Sequence, residues 1–427
     1  MLNRTIAPVI KDPVELDIKL PPCEQFTLSN GVKVYALDMG NEDVVLYNFV
    51  FYAGNSYETQ NTIAPATNYL IKNGTNTRKA FDIDEHFDYY GAYLNRSCYN
   101  ETAEISLHCL QKHSGELLPV ISELLQEAVF PAEELAIYQQ NAKQRLSVGL
   151  QKSDFVAGRL IDASLFGRNH PYGKYSELVD YDMLQRAQLQ QFYKRYYKEG
   201  HCVIFVSGKL PADIGQLLDR HFGTLPLKPH HQAAPVVHPV QPSATLKQRV
   251  INDEQGVQGS IRIARHFPNR HHPDFQKMMV LNTLFGGFFG SRLMANIREE
   301  KGYTYGIYSY LLNHVHQSGL MISTEAGRDV CEATIQEVYA EMEGLCQEPV
   351  EEEELQVTRS FMIGSILGDL DGPFQVLSRW KNLVLNGLDE AYFYRGIQTI
   401  KTITAAELQE VANKYLVKED FYELTVI

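Results

Sequence analysis

Apolar positions along the chain switch between two periods. Gly31-Val-Lys-Val-Tyr-Ala-Leu37 and Val44-Val-Leu-Tyr-Asn-Phe-Val-Phe-Tyr52 are short and rich in β-branched and aromatic residues, and they predict strands. Thr102-Ala-Glu-Ile-Ser-Leu-His-Cys-Leu110 alternates and predicts a third. Phe81 to Tyr90 has helical spacing and is followed by Gly91, a helix stop. Leu117 to Val129 predicts an amphipathic helix that ends before Pro131, and Glu133 to Leu150 predicts another. Helices interleaved with antiparallel-looking strands point to the α+β class.

The pattern recurs. Met183 to Tyr197 predicts a helix followed by the strand His201-Cys-Val-Ile-Phe-Val-Ser-Gly208. Near the C-terminus, Ile403 to Leu416 predicts a helix with Thr404 and Glu407 as a capping box, followed by the strand Phe421 to Ile427. Between these two closing units lies Leu225 to Pro242, with five prolines and no apolar period, which reads as an extended, semi-rigid tether. The expected organisation is an N-terminal half over residues 1–225, a linker over 226–243 and a C-terminal half over 244–427. Each half is expected to be an antiparallel sheet faced by helices, the two homologous and arranged as a clam-shell.

Composition narrows the function classes. The 427 residues are 44% hydrophobic and 21% charged, ordinary for a globular chain of two or three domains. A net charge of −13 argues against non-specific binding to nucleic acid or to anionic membranes. The N-terminus lacks the apolar core of a signal peptide, and no apolar run approaches membrane-spanning length. Cys23, Cys98, Cys109, Cys202, Cys331 and Cys346 form no Cys-x-x-Cys pair and read as free thiols of a reducing compartment, so the expected location is cytoplasmic.

Two segments carry candidate chemistry. The first is Phe51-Tyr-Ala-Gly-Asn-Ser-Tyr-Glu58 with Ile63-Ala-Pro-Ala-Thr-Asn-Tyr-Leu-Ile-Lys-Asn-Gly-Thr75. The second runs from Val280 to Gly306 and contains Leu284-Phe-Gly-Gly-Phe-Phe-Gly-Ser-Arg-Leu293 and Arg298-Glu-Glu-Lys-Gly-Tyr-Thr-Tyr305. Over roughly residues 20 to 427 the chain resembles the zinc peptidases of the pitrilysin, insulinase and processing-peptidase family. Gly54, Glu58, Ala64 and Gly74-Thr75 keep their places, and Asn95 matches an asparagine on a strand edge by the family's cleft.

The departures are at the metal. Where the family carries His-x-x-Glu-His on a helix, this chain reads Pro65-Ala-Thr-Asn68-Tyr69, and the family's downstream glutamate position falls at Arg145, within a residue or so. Two histidines four apart share one helix face, and the glutamate between them takes a proton from the metal-bound water. Proline has no ligand atom, asparagine is no base, and an arginine repels a metal ion. No metal is therefore expected in this chain. The second segment keeps the offset of the family's substrate-binding pair at Arg298 and Tyr305, which the resemblance implies would hold a peptide carbonyl.

Other constellations fail on spacing. Gly286, Gly287 and Gly290 are not followed by the Lys-Ser/Thr of a phosphate loop, and Val206-Ser-Gly208 lacks a nucleophile elbow. His230, His231 and His238 lie in the tether; His266, His271 and His272 read as surface histidines; and His314 and His316, two apart on a strand and so on one face, have no nearby carboxylate. Glu85 and His86 are adjacent on a helix and point apart.

The resemblance implies a non-catalytic subunit paired with a zinc-bearing homologous peptidase subunit, with zinc only in that partner. The ligand would be a peptide or unfolded polypeptide added to an open sheet edge. Two other readings stay open: a scaffold or assembly protein of the same fold, and a homodimeric peptide-binding module.

Overall fold

The computed structural model describes residues 12–233 and 236–427. The reading of the N-terminus as free of a signal peptide, and Ala234 and Pro235 of the tether, lie outside the described residues. The chain forms two compact units, each with one sheet. One unit contains Pro22–Thr245 together with Gly372–Asn382. The other contains the described residues up to Pro21, Leu246–Asp371 and Leu383–Ile427.

In the first unit the strands are β1 (Glu24–Thr27), β2 (Lys33–Asp38), β3 (Val44–Phe51), β4 (Tyr93–Cys98), β5 (Ala103–Leu110), β6 (His201–Gly208) and β7 (Lys228–Pro229). They are ordered β1-β2-β6-β3-β5-β4, with β7 beside β6. The helices α1 (Ile63–Leu70) and α2 (Ala80–Tyr89) join β3 to β4. Five more, α3 (Ser114–Glu127), α4 (Ala132–Gly149), α5 (Ser153–Phe166), α6 (Leu178–Asp182) and α7 (Arg186–Tyr193), join β5 to β6, and α8 (Ile214–Phe222) follows β6.

Alternation along the strands builds the core. Val45, Tyr47, Phe49 and Phe51 of β3 lie in one apolar cluster with Ile105 and Leu107 of β5, Ile63 and Leu70 of α1, and Leu117 and Ile121 of α3. Burying one such side chain fully is worth about 1.5–3 kcal/mol. The intervening residues Asn48, Val50, Glu104, Ser106 and Ser207 are buried as well. Part of their cover is Gly372–Asn382. Pro373 offers its carbonyl to Ser207 Oγ at 2.8 Å, and Phe374 sets an edge against His108 at 5.6 Å. Lys381 Nζ lies 2.8 and 3.0 Å from the two carboxylate oxygens of Glu104, which also accepts from Asn48 Nδ2 at 2.9 Å. Burial on both faces explains why β3 reads as a near-continuous apolar run.

The tether is laid along this unit. His201 Nδ1 lies 2.9 Å from the Pro229 carbonyl, His238 Nε2 lies 3.0 Å from the Ser56 carbonyl, and Gln241 N donates to the Phe166 carbonyl at 3.1 Å.

In the second unit the strands are β8 (Lys247–Val250), β9 (Gln258–Phe267), β10 (Thr304–Asn313), β11 (Ser318–Gly327) and β12 (Tyr422–Val426), ordered β10-β11-β9-β12-β8. The helices are α9 (Phe275–Asn282), α10 (Cys331–Gln347), α11 (Glu352–Gly368), α12 (Pro373–Leu385, which begins in the first unit's segment), α13 (Glu390–Thr402) and α14 (Ala405–Tyr415). The N-terminal stretch belongs here: Lys401 Nζ donates to the Leu16 carbonyl at 2.6 Å, and Leu20 N donates to Tyr394 Oη at 3.3 Å.

The repeat read from the sequence is visible in the topology. Strand path β2-β6-β3-β5-β4 matches β8-β12-β9-β11-β10, pair for pair in direction. In both paths the first pair is parallel and the rest are antiparallel, and in the first unit β7 also pairs parallel with β6, so both sheets are mixed where uniformly antiparallel ones were expected. A closing strand inserted between β2 and β3, or between β8 and β9, has two neighbours that run in opposite directions and so must be parallel to one of them. The left-handed glycines also correspond: Gly91 (φ +60°) precedes β4 and Gly302 (φ +67°) precedes β10.

The helix expected over Met183–Tyr197 is interrupted. Gln185 starts α7 afresh with a capping box to Gln188, leaving Met183 at the end of α6. The Thr404–Glu407 capping box forms as expected. Among the described residues no helix is long and apolar enough to cross a membrane.

Candidate functional site

The chain enters α1 through a crowded turn. A Cβ at Gly54 would lie 2.4 Å from the carbonyl oxygens of Tyr99 and Asn100, so only glycine fits there. Thr62, the residue before α1, is held at φ +74°, a costly conformation for a β-branched side chain. Glu58 explains how this turn is held. Its carboxylate accepts from the Ala64 N–H at 2.8 Å, at the positive end of α1, and meets Lys174 Nζ at 2.5 Å. Burial lifts Glu58 above the ordinary carboxylate range, opposed by Lys174 and the helix N–H groups. Pro65 sits in the first turn, where a missing N–H leaves no helical bond unmade.

The four positions read as degenerate metal ligands are structural or solvent-facing. Asn68 is 3% exposed, and its Nδ2 donates to the Glu104 carbonyl at 3.2 Å and to Tyr197 Oη at 3.1 Å. Tyr197 is fully buried, which raises its phenol well above its usual range and keeps it neutral. Tyr69 is exposed. Its ring packs on Tyr138 of α4 at 5.1 Å, and the Arg96 guanidinium lies over it at 4.9 Å. Arg145 is exposed on α4, along a shallow groove with Asn141, Gln144, Val148 and Lys152.

Zinc does not fit this donor set. Asn68 presents its N–H groups inward, Pro65 has nothing to offer, and a cation at Tyr69 would face Arg96. Among the described residues no three His, Cys, Asp or Glu side chains gather as a metal-binding group. Asn95 lies exposed on β4, the open edge of its sheet.

In the other unit the structure brings Arg298 and Tyr305 together. Arg298 lies in the π-wound segment Met294–Glu300, and Gly302 turns the chain into β10. The ladder between β10 and β11 slips between Thr304 and Ile307, and this bulge turns Tyr305 outward to 90% exposure. Thr304 Oγ1 donates to the Glu325 carbonyl at 2.6 Å and accepts from the Gly306 N–H at 3.1 Å, while Thr324 Oγ1 donates to the Gly306 carbonyl at 2.9 Å. These bonds fix the bulge. The Arg298 guanidinium carbon lies 5.1 Å from the Tyr305 ring centre and 4.6 Å from that of Phe289.

Sequence reasoning missed Phe289, the Glu58–Lys174 pair and the Glu104–Lys381 pair. Phe289 had a signal, an apolar ring inside a glycine turn where no core period requires one. The ion pairs join residues far apart in the chain and have none.

Comparison with known proteins agrees with the resemblance. Residues 184–362 match the peptidase M16 inactive domain. The uncharacterized zinc protease YmxG of Bacillus subtilis is 22% identical over 370 residues, covering 85% of this chain and 88% of that protein. A crystal structure of a peptidase M16 inactive domain from Pseudomonas fluorescens superposes with a TM-score of 0.85 at 22% identity, over 95% of this chain and 98% of that one. A protease from Helicobacter pylori gives a TM-score of 0.85 at 17% identity, over 96% and 100%. Residues 184–362 thus match the inactive domain of the M16 peptidases, and over most of its length the chain is similar to proteins named as zinc proteases.

Proposed function

We propose that this chain is a non-catalytic, peptide-binding subunit that works beside a zinc-bearing homologous peptidase subunit. The observation that carries the reading is Asn68. Where a peptidase of this family holds its general base, this chain holds a buried amide engaged by the Glu104 carbonyl and the Tyr197 hydroxyl. The position has become part of the core. Zinc would reside in the partner, and this chain would complete the partner's chamber.

Arg298 and Tyr305 would bind the peptide. Both carry hydrogen-bond donors, both are accessible, and they stand at β10, an open sheet edge to which an extended peptide can add. A guanidinium aimed at a carbonyl would stabilise negative charge developing on that oxygen during cleavage. A cytoplasmic setting suits the free thiols.

The test is reconstitution. The chain alone should neither contain zinc by elemental analysis nor cleave an unstructured fluorogenic peptide; the chain with its zinc-bearing homologue should cleave. Arg298→Ala in the well-folded pair should lower the rate about a hundredfold. Cleavage by the chain unaided, or an unchanged rate for Arg298→Ala, overturns the reading. Recovery of the native chain in a large, stable assembly without peptidase activity would favour a scaffold; peptide binding by a self-paired chain would favour a homodimeric binding module.

A further inference from the structure

Among the described residues no acceptor lies against the Arg298 guanidinium. Neighbouring charges have partners: Arg292 is bidentate on Glu354 at 2.7 and 2.9 Å, Lys301 lies 3.6 Å from Glu300 and 3.9 Å from Glu337, and Glu341 accepts from Asn296 at 2.7 Å. Arg298 has only the rings of Phe289 and Tyr305 among the described residues. Both rings are exposed, Phe289 at 58%. The two rings hold the guanidinium by cation–π attraction and leave its donors open to a ligand.

The arrangement is built. Phe289 stands in a turn that needs glycine where it begins: a Cβ on Gly286 would lie 2.8 Å from the Ser309 backbone nitrogen. Tyr305 is turned out by the threonine-pinned bulge. Two independent backbone devices therefore set two rings against one cation. Rings over a guanidinium shed water from its faces and leave the donors in its plane, and that planar fork matches a carboxylate.

We propose that Phe289, Arg298 and Tyr305 form a receptor for a peptide carboxylate, with Phe289 the positioning residue that holds the guanidinium edge-on. This rests on the reading of the chain as a peptide-binding subunit. The favoured source is the free C-terminus of a cleaved peptide, whose carboxylate stands where the attacked carbonyl stood and whose terminal side chain can lie against the exposed rings; an acidic side chain offers the same group.

Calorimetry on the full chain distinguishes these with one unstructured peptide in three forms: a free acid, its C-terminal amide, and an amide ending in glutamate. The free acid should bind about tenfold more tightly than the plain amide, as a charge-assisted, bidentate pair allows. Arg298→Lys should abolish most of that preference. Phe289→Leu should reduce the acid-to-amide ratio about two- to fivefold, and Phe289→Tyr should restore it. Equal binding of the acid by wild type and Phe289→Leu overturns the positioning role. Tight binding of the glutamate amide assigns the carboxylate to a side chain and supports the receptor. Equal binding of all three forms overturns the receptor and leaves the subunit reading standing; no binding of any form overturns both.

Discussion

Replacing Asn68 by alanine removes both donor contacts of a 3% exposed amide, to the Glu104 carbonyl at 3.2 Å and to the Tyr197 hydroxyl at 3.1 Å. Each bond is worth about 1 kcal/mol net, and stranding a buried partner adds more, so Asn68→Ala should destabilise this unit by about 2–4 kcal/mol. The family's own residue should do no better. Asn68→Glu adds a methylene and a charge at a packed site and sets one acceptor against the Glu104 carbonyl. The chain supplies its own probe, because its single tryptophan, Trp380, lies in Gly372–Asn382 of this unit. Urea unfolding followed by tryptophan fluorescence reads this unit directly. Tyr197→Phe alone should cost about 1 kcal/mol, and in that background the penalty of Asn68→Ala should shrink by about as much. A loss under about 0.5 kcal/mol for Asn68→Ala would show that the amide is not structural, and the argument from its burial would collapse.

Two other outcomes follow from charged groups. Lys381→Met leaves the Glu104 carboxylate, 10% exposed, with Asn48 as its one remaining donor among the described residues; removing one partner of a buried pair costs about 3–5 kcal/mol, and adding Glu104→Gln should recover most of it in the same fluorescence assay. Glu407 is held down to about 2 by its bond to Lys277 and those to Thr404. Its contribution is complete above its ordinary value of 4.5 and is lost as pH falls through about 2, so Glu407→Gln should flatten the thermal stability profile across that window and leave its neutral side unchanged in slope.

Local pattern foretold much of the fold. Strands β2, β3, β5 and β6 announce themselves by β-branched and aromatic runs, Gly91 and Gly302 mark helix ends that really adopt left-handed geometry, and Thr404 with Glu407 caps α14. The break at Gln185 escaped notice because the apolar period runs through it, and a capping box of two glutamines is a weak sign. At the candidate site, the Arg298–Tyr305 offset was legible because glycine and tyrosine spacing survive in the chain. The bulge that turns Tyr305 outward was not, since it depends on Thr324 of the neighbouring strand. Asn68 could be read as a lost base, but its partners, Glu104 and Tyr197, come from β5 and from the π-wound segment Lys194–Lys198 that continues α7. The allegiance of Gly372–Asn382 was likewise invisible, being decided by Glu104 and Ser207 far away in the chain.

That exchange of segments constrains how this protein can be inherited or rebuilt. A gene divided at the proline-rich stretch would give one product lacking Pro373 and Lys381 and another lacking Leu16 and Leu20, each a molecule missing its own stitching. The two halves share a strand path, yet neither can be discarded, swapped between relatives or expressed singly unless its borrowed strip travels with it.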